Sequence, residues 1–250
     1  MGLRLLANNF IVKLSISMKI KNRRPVLQLG LVALLLSATA TFAAEDAPKD
    51  PKIALNKEIS SAANFYTLQQ SNPKTAIPDW VVSQAKGVII LDRTSGALIV
   101  GGTSGTGIGM IKGSNGKFSA PVFYTLGGAS IGLQIGGGET QTIAFLMSDK
   151  ALNTLTDSKF VWSGNVRAAA GTQSTENTTA DNKVDVILYQ QASGLDAGAA
   201  VDGTQVSIDN EGNHKFYDNA TITPTDIFGG SAKTPDVAKP LLAALNAQTK

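Results

Sequence analysis

Gly127-Gly128-Ala129-Ser130-Ile131-Gly132-Leu133-Gln134-Ile135-Gly136-Gly137-Gly138 admits two incompatible readings. Gly128-Ala129-Ser130-Ile131-Gly132 fits the G-x-S-x-G pattern of a hydrolase nucleophile elbow, and the whole segment alternates small and apolar residues as a closely packed strand does. An elbow needs a strand, a sharp turn and then a helix, with an acid and a histidine base further along the chain. His214 is the only histidine, and Asp185, Asp196 and Asp202 lie between it and Ser130, so the order of residues allows a triad. The local sequence does not. Gly132, Gly136, Gly137 and Gly138 fall within seven residues, and each would cost a helix about 1 kcal/mol. Ser130 is therefore expected in a strand and the chain is expected not to be an enzyme. Ester turnover abolished by Ser130→Ala is what the hydrolase alternative requires.

Around this segment the chain has the grammar of short β runs broken by glycine. Val88 to Leu91, Ala97 to Val100, Gly107 to Ile111, Lys117 to Tyr124, Ser130 to Ile135 and Thr140 to Met147 read as strands. Thr94-Ser95-Gly96 and Gly113-Ser114-Asn115-Gly116 supply the positive-φ residues of tight connections, which predicts an antiparallel meander. Phe160 to Trp162, Val166 to Ala170 and Val184 to Tyr189 continue the β pattern after a brief helix over Asp149 to Leu155. Gly171 to Asn182 is polar and reads as an exposed loop.

Helical periodicity flanks the β region. Leu55, Ile59, Ala62, Ala63 and Tyr66 form one stripe over Ile53 to Gln70, with Lys52, Lys57 and Glu58 away from it. Ile77-Pro78-Asp79 opens a short helix in which Trp80, Val81, Val82 and Ala85 are expected to face inward. At the other end, Thr234 is placed as a cap and Pro235 at the first position of a helix through Leu245, with Pro240 kinking or restarting it. The fold class is α+β: a mainly antiparallel sheet or partly closed barrel with N-terminal amphipathic helices and a C-terminal helix.

Met1 to Ala44 carries Arg4, Lys13, Lys19, Lys21, Arg23 and Arg24, no acidic residue, and the apolar run Val26 to Leu36. This is the pattern of a secretory signal, with small residues placing cleavage after Ala40 or, as favoured here, after Ala43. A start at Met18 gives a signal of ordinary length. An uncleaved anchor is the alternative, but Gln28, Ser37, Thr39 and Thr41 dilute a stretch about as short as the shortest spanning helices. Residues 1–43 are thus read as a signal peptide and 44–250 as a single domain, exported to the periplasm or secreted.

Removing the signal changes the charge. It takes six of the 22 basic side chains and none of the 19 acidic ones, leaving 16 against 19 and a formal charge of −3. A basic footprint for nucleic acid is lost, and no nucleic-acid partner is expected. The chain has no cysteine, which rules out disulfides, thiolate metal sites and a cysteine nucleophile.

Three further patterns are weak. Gly101 to Gly109 resembles a phosphate cradle, but Met110 stands where a third glycine is needed, and Gly116-Lys117 lacks the P-loop glycine five residues earlier. Glycine here is expected to allow close strand approach. Asp209-Asn210-Glu211-Gly212-Asn213 invites calcium, but Gly212 comes two positions too early and no distal acid follows. It reads as a hairpin turn joining Val206-Ser207-Ile208 to Phe216-Tyr217, with His214 exposed in the loop. With one histidine and no cysteine, neither a metal nor a cofactor is expected.

In order along the chain, these landmarks resemble the SYLF-domain family. The resemblance runs through Ile77-Pro78, Ala85-Lys86-Gly87, Val88-Ile89-Ile90, Gly101-Gly102, Gly105-Thr106-Gly107 and Lys117-Phe118-Ser119-Ala120-Pro121, where the family usually has tryptophan before Ser-Ala-Pro. Gly128 to Gly137 follows and is the most specific signature. Tyr189, Ser193-Gly194-Leu195, Ala197-Gly198 and Phe216-Tyr217 complete it. Ala168-Ala169-Ala170-Gly171 departs from the family in lacking a following proline and arginine. The resemblance implies a module that binds membrane lipids, especially phosphoinositides, and in some yeast proteins actin. In eukaryotic members a basic amphipathic helix before the β core carries lipid binding; its counterpart here is Ile53 to Gln70, which makes Lys49, Lys52 and Lys57 the lipid-binding candidates. Glu45, Asp46, Asp50 and Glu58 are interleaved with them, and the same helix also serves as one packed on the core. The expected partner is a membrane lipid surface or an envelope component, with a protein-interaction or structural module as the alternative.

Overall fold

Val88-Ile89-Ile90-Leu91 is apolar at every position, so neither face of that strand is left for water and the sheet has to be covered on both sides. A computed structural model describes residues 50–97, 100–131, 136–161, 166–169, 184–194 and 205–248, all within one unit, Pro48–Lys250. Eight strands form one sheet: β1 Gly87–Ala97, β2 Val100–Ile111, β3 Val122–Ile131, β4 Gly136–Leu146, β5 Lys159–Val161, β6 Val166–Ala169, β7 Val186–Gly194 and β8 Gln205–Ile208. Their order is β5-β8-β3-β2-β1-β4-β7-β6, and every pair is antiparallel except β6 with β7. The α+β class and the mainly antiparallel sheet agree with the sequence reading. A simple meander does not, because β4 returns beside β1 and β8 beside β3.

The helices are α1 Pro51–Ser71, α2 Asp79–Gln84, α3 Asp149–Asn153, α4 Asn210–Phe216, α5 Pro224–Phe228 and α6 Lys239–Ala247. Alternation divides the strands between two cores. Val88, Ile90, Ile108, Phe123 and Phe145 pack against α1, α2 and α6. Ile89, Leu91, Tyr124, Leu146 and Leu188 pack on the other side with Leu155 and with Ile227 and Phe228 of α5. The sheet also curls. Val161 ends β5 at one edge and Val166 begins β6 at the other, only five Cα steps or about 19 Å of chain away. Eight flat strands would span about 34 Å.

Several sequence expectations shift. Thr94-Ser95-Gly96 lies inside β1, paired to Ser104, Thr103 and Gly102 on one side and to Glu139, Gly138 and Gly137 on the other. Partners on both sides satisfy the backbone as strand, overriding a local turn signal. The segment Gly127–Gly138 is not one strand: it closes β3 and opens β4. Gly113 to Gly116 is a turn as expected, with Gly116 at φ +75° and its N–H donating to the Gly113 carbonyl at 2.9 Å. The residues read as a hairpin at 209–213 form α4 instead, capped by the Asp209 carboxylate accepting from Gly212 N–H at 2.8 Å. At the C-terminus Pro235, not Thr234, precedes a 3-10 turn Asp236–Ala238, and α6 restarts at Lys239 with Pro240 in its first turn. The signal segment, its cleavage sites and the 171–182 loop lie outside the described residues.

Candidate functional site

Helix α1 begins where Asp50 accepts from Lys52 N–H at 2.9 Å, with Pro51 at the first position, where its missing N–H costs nothing. Leu55, Ile59, Ala62, Phe65 and Tyr66 are buried against the sheet. Phe65 was not in the stripe read from sequence. The three lysine candidates are not brought together. Lys49 lies outside the described residues, while Lys52 and Lys57, five residues apart, sit on different flanks of the helix. Lys52 Nζ donates to both carboxylate oxygens of Asp218 at 2.6 Å. It borders an open groove of about 380 Å³ lined also by Asn56, Phe216, Tyr217, Asn219 and Lys233. Asp218 has φ +52°, a conformation its short polar side chain tolerates. Lys57 is exposed.

The outward side of this helical layer is apolar at three points. Ile53 is 57 % exposed and Leu68 62 % on α1, and Trp80 is 44 % exposed on α2; they are three of the four large exposed apolar residues among the described ones. Trp80 was expected inside. Val81 and Val82 take the buried positions of that short helix, and the indole stands outside them. No periodicity signal separates such a tryptophan from a core one.

Glu58 also departs from expectation. Rather than pointing outward, it lies over the sheet beside Ser61, Asp92, Thr106 and Gln141 around a cavity of about 40 Å³. Burial, reinforced by the like charges of Asp209 and Asp92 and opposed by a hydrogen bond with Thr106, pushes its carboxyl up to about 8. At neutral pH it is a neutral acid. It therefore does not offset the lysines of α1 as its place in the sequence implied.

The catalytic alternative loses its geometry. Ser130 is one residue from the end of β3, paired with Gly101 of β2, and the next described element is strand β4 rather than a helix. His214 sits half-buried in α4 rather than in an exposed loop. Of the intervening acids, Asp185 accepts from Ser148 Oγ at 2.5 Å, and Asp196 and Asp202 lie outside the described residues. The glycine run after Gly101 is strand β2, where a Cβ on Gly107 would come 2.4 Å from Leu91 Cδ2, so close approach accounts for that glycine, whereas a Cβ on Gly102 would meet nothing within 4 Å. Among the described residues no group of three metal-ligating side chains converges, and no helix is long and apolar enough to cross a membrane.

Residues 127–248 match the family model described as Ysc84, Las17-binding protein actin regulator, and the match starts at the first residue of the glycine segment. This match and the relatives below support the SYLF-domain family read from the sequence. It is 29% identical over 179 residues to Protein YSC84 of Saccharomyces cerevisiae, covering 69% of this chain and 38% of that one. LAS seventeen-binding protein 3 of the same yeast is 26% identical over 209 residues, covering 80% and 45%. SH3 domain-containing YSC84-like protein 1 of Homo sapiens is 27% identical over 208 residues, covering 81% and 60%. The chain thus spans less than two thirds of each of these relatives. No solved structure matches it.

Proposed function

We propose that this SYLF domain is an exported, non-enzymatic interaction module that lays its α1–α2 layer on an acidic membrane surface. The carrying observation is the exposure of Ile53 and Leu68 on α1 and of Trp80 on α2, with the exposed Lys57 one turn along α1 from Ile53. Apolar side chains of this kind insert at the headgroup boundary while lysines meet anionic lipid, and tryptophan favours that boundary because its ring is amphipathic. With Glu58 neutral, the net charge of α1 is more positive than its sequence suggests. Export rests on the basic then apolar run before Ala43.

Flotation with vesicles tests the reading. Protein is expected to float with vesicles containing phosphatidylglycerol and to remain below with phosphatidylcholine alone. The double variant Leu68→Ser, Trp80→Ala is expected to lose at least about tenfold in vesicle affinity, with an unchanged urea midpoint because neither side chain is in the core. Failure to float with any composition, native envelope lipids included, overturns it. Export is checked by the N-terminus of the purified protein, expected at Ala44.

The second reading is a protein-binding module without a lipid ligand. The names of the yeast relatives and of the matching family, which speak of binding Las17, favour it. It predicts no response to vesicles and a stable protein partner recovered from envelope extract, lost in the same double variant.

A further inference from the structure

Helix α1 meets the sheet through two chemistries. Its leucine, isoleucine and aromatic residues join the core, while Glu58 and Ser61, one turn apart, lie over a polar strip. That strip runs across three strands in register, because Asp92 of β1 is paired with Thr106 of β2 on one side and Gln141 of β4 on the other. Gln141 Nε2 donates to Asp92 Oδ2 at 3.3 Å and to Ser61 Oγ at 3.4 Å, joining helix to sheet. Glu58 reaches Thr106, and its Oε1 is buried with no hydrogen-bond partner. The cavity of about 40 Å³ between them holds at most a few waters, too few to solvate a carboxylate as bulk water does.

The charges around Glu58 add to the penalty. Asp92 from the sheet and Asp209 from the start of α4 both act on it with its own sign. The lysines on the elements packed around α1 are turned to other acids: Lys52 to Asp218, Lys215 of α4 to Glu211, and Lys239 of α6 to Asp236. Lys57 points to solvent. Arg93 follows Asp92 and so stands on the opposite face of β1, and His214 of α4 is not among the groups whose charge bears on Glu58.

We infer that Glu58 is a protonation latch for α1: the neutral acid seats the helix on the sheet, and the carboxylate, set across a small cavity from Asp92 and under the like charge of Asp209, weakens that seat. The latch stands independently of the membrane reading, since it concerns the inner side of the helix. The folded state holds the proton more tightly than the opened state, so the seated helix is most stable below the ordinary carboxyl value of 4.5 and loses that advantage up to about pH 8, where Glu58 ionises in place. Above that pH both states are ionised and no further loss follows from this group.

Hydrogen exchange on the full chain between pH 5 and 9, corrected for intrinsic rates, tests it by comparing α1 amides with those of β1. The α1 protection is expected to fall roughly tenfold per pH unit up to about pH 8 and then to level. In Glu58→Gln, which keeps the shape of the neutral acid, α1 protection is expected to be flat with pH. In Asp92→Asn, loss of a like charge is expected to move the levelling point to lower pH. A flat profile in the natural chain, or the same fall in Glu58→Gln, overturns the latch. If Glu58→Gln does not fold, Asp92→Asn decides, and an unmoved levelling point overturns it.

Discussion

Gly109 shows what a single missing side chain does. A Cβ there would stand 2.8 Å from Cε2 of Tyr124, whose buried hydroxyl donates to the Leu155 carbonyl at 2.6 Å. Gly109→Ala is expected to cost about 1–3 kcal/mol through overpacking, read as a lower urea midpoint, whereas Gly102→Ala meets nothing within 4 Å and serves as the control with little loss. Asn213 is the converse case. Only 1 % exposed, it accepts from Phe123 N–H at 2.9 Å and donates to Phe123 O at 3.2 Å, extending the edge of β3 with a side chain. Asn213→Ala is expected to lower stability by about 1–3 kcal/mol, because the buried Phe123 N–H loses its acceptor while the Phe123 carbonyl keeps the Asp209 N–H. The need for glycine at Gly105, Gly107 and Gly109 was legible as close packing. The burial of Asn213 was not, since Gly212-Asn213 has the composition of a turn and only the approach of β3 makes it interior.

At the scale of elements, legibility followed the length of the pattern. The 21 residues of α1 carry enough periodic positions to fix both its identity and its buried side, apart from Phe65 and Glu58. The five residues of α5 do not, yet their start is written in a capping box: Thr223 Oγ1 accepts from Asp226 N–H at 3.2 Å while Asp226 accepts from Thr223 N–H at 2.9 Å. Thr223→Ala is expected to destabilise by about 1 kcal/mol, seen as faster exchange of the α5 amides before those of the sheet. Helix α2 ends on contacts no local sequence announces. Lys112, 29 residues past Ser83, donates to the Val82 carbonyl at 2.6 Å and the Ser83 carbonyl at 2.8 Å, placing positive charge at the helix C-terminus where the last carbonyls need donors.

For the whole molecule, stability is expected to depend on pH in two separate limbs. Glu58, with a folded value of about 8 against 4.5, makes stability fall by about 1.4 kcal/mol per unit between those values, because the unfolded chain gives up the proton first. A plateau follows to about pH 10. A second fall then begins, as burial raises Tyr66 to about 12 and pushes Tyr124 and Tyr217 up as well, so the fold keeps phenolic protons that the unfolded chain releases. Urea midpoints from pH 5 to 11 check this, and Glu58→Gln is expected to erase the first limb and leave the second. The sequence by itself determined the class, the family resemblance and the paired apolar runs, because strand alternation, glycine spacing and helical period are properties of neighbouring residues. Tertiary structure alone decided strand order, the curl imposed by the short connection between the sheet edges, the exposure of Trp80 and the neutral state of Glu58. Each of these depends on which distant residues share a space, and charge and solvation are set by that space rather than by position in the chain.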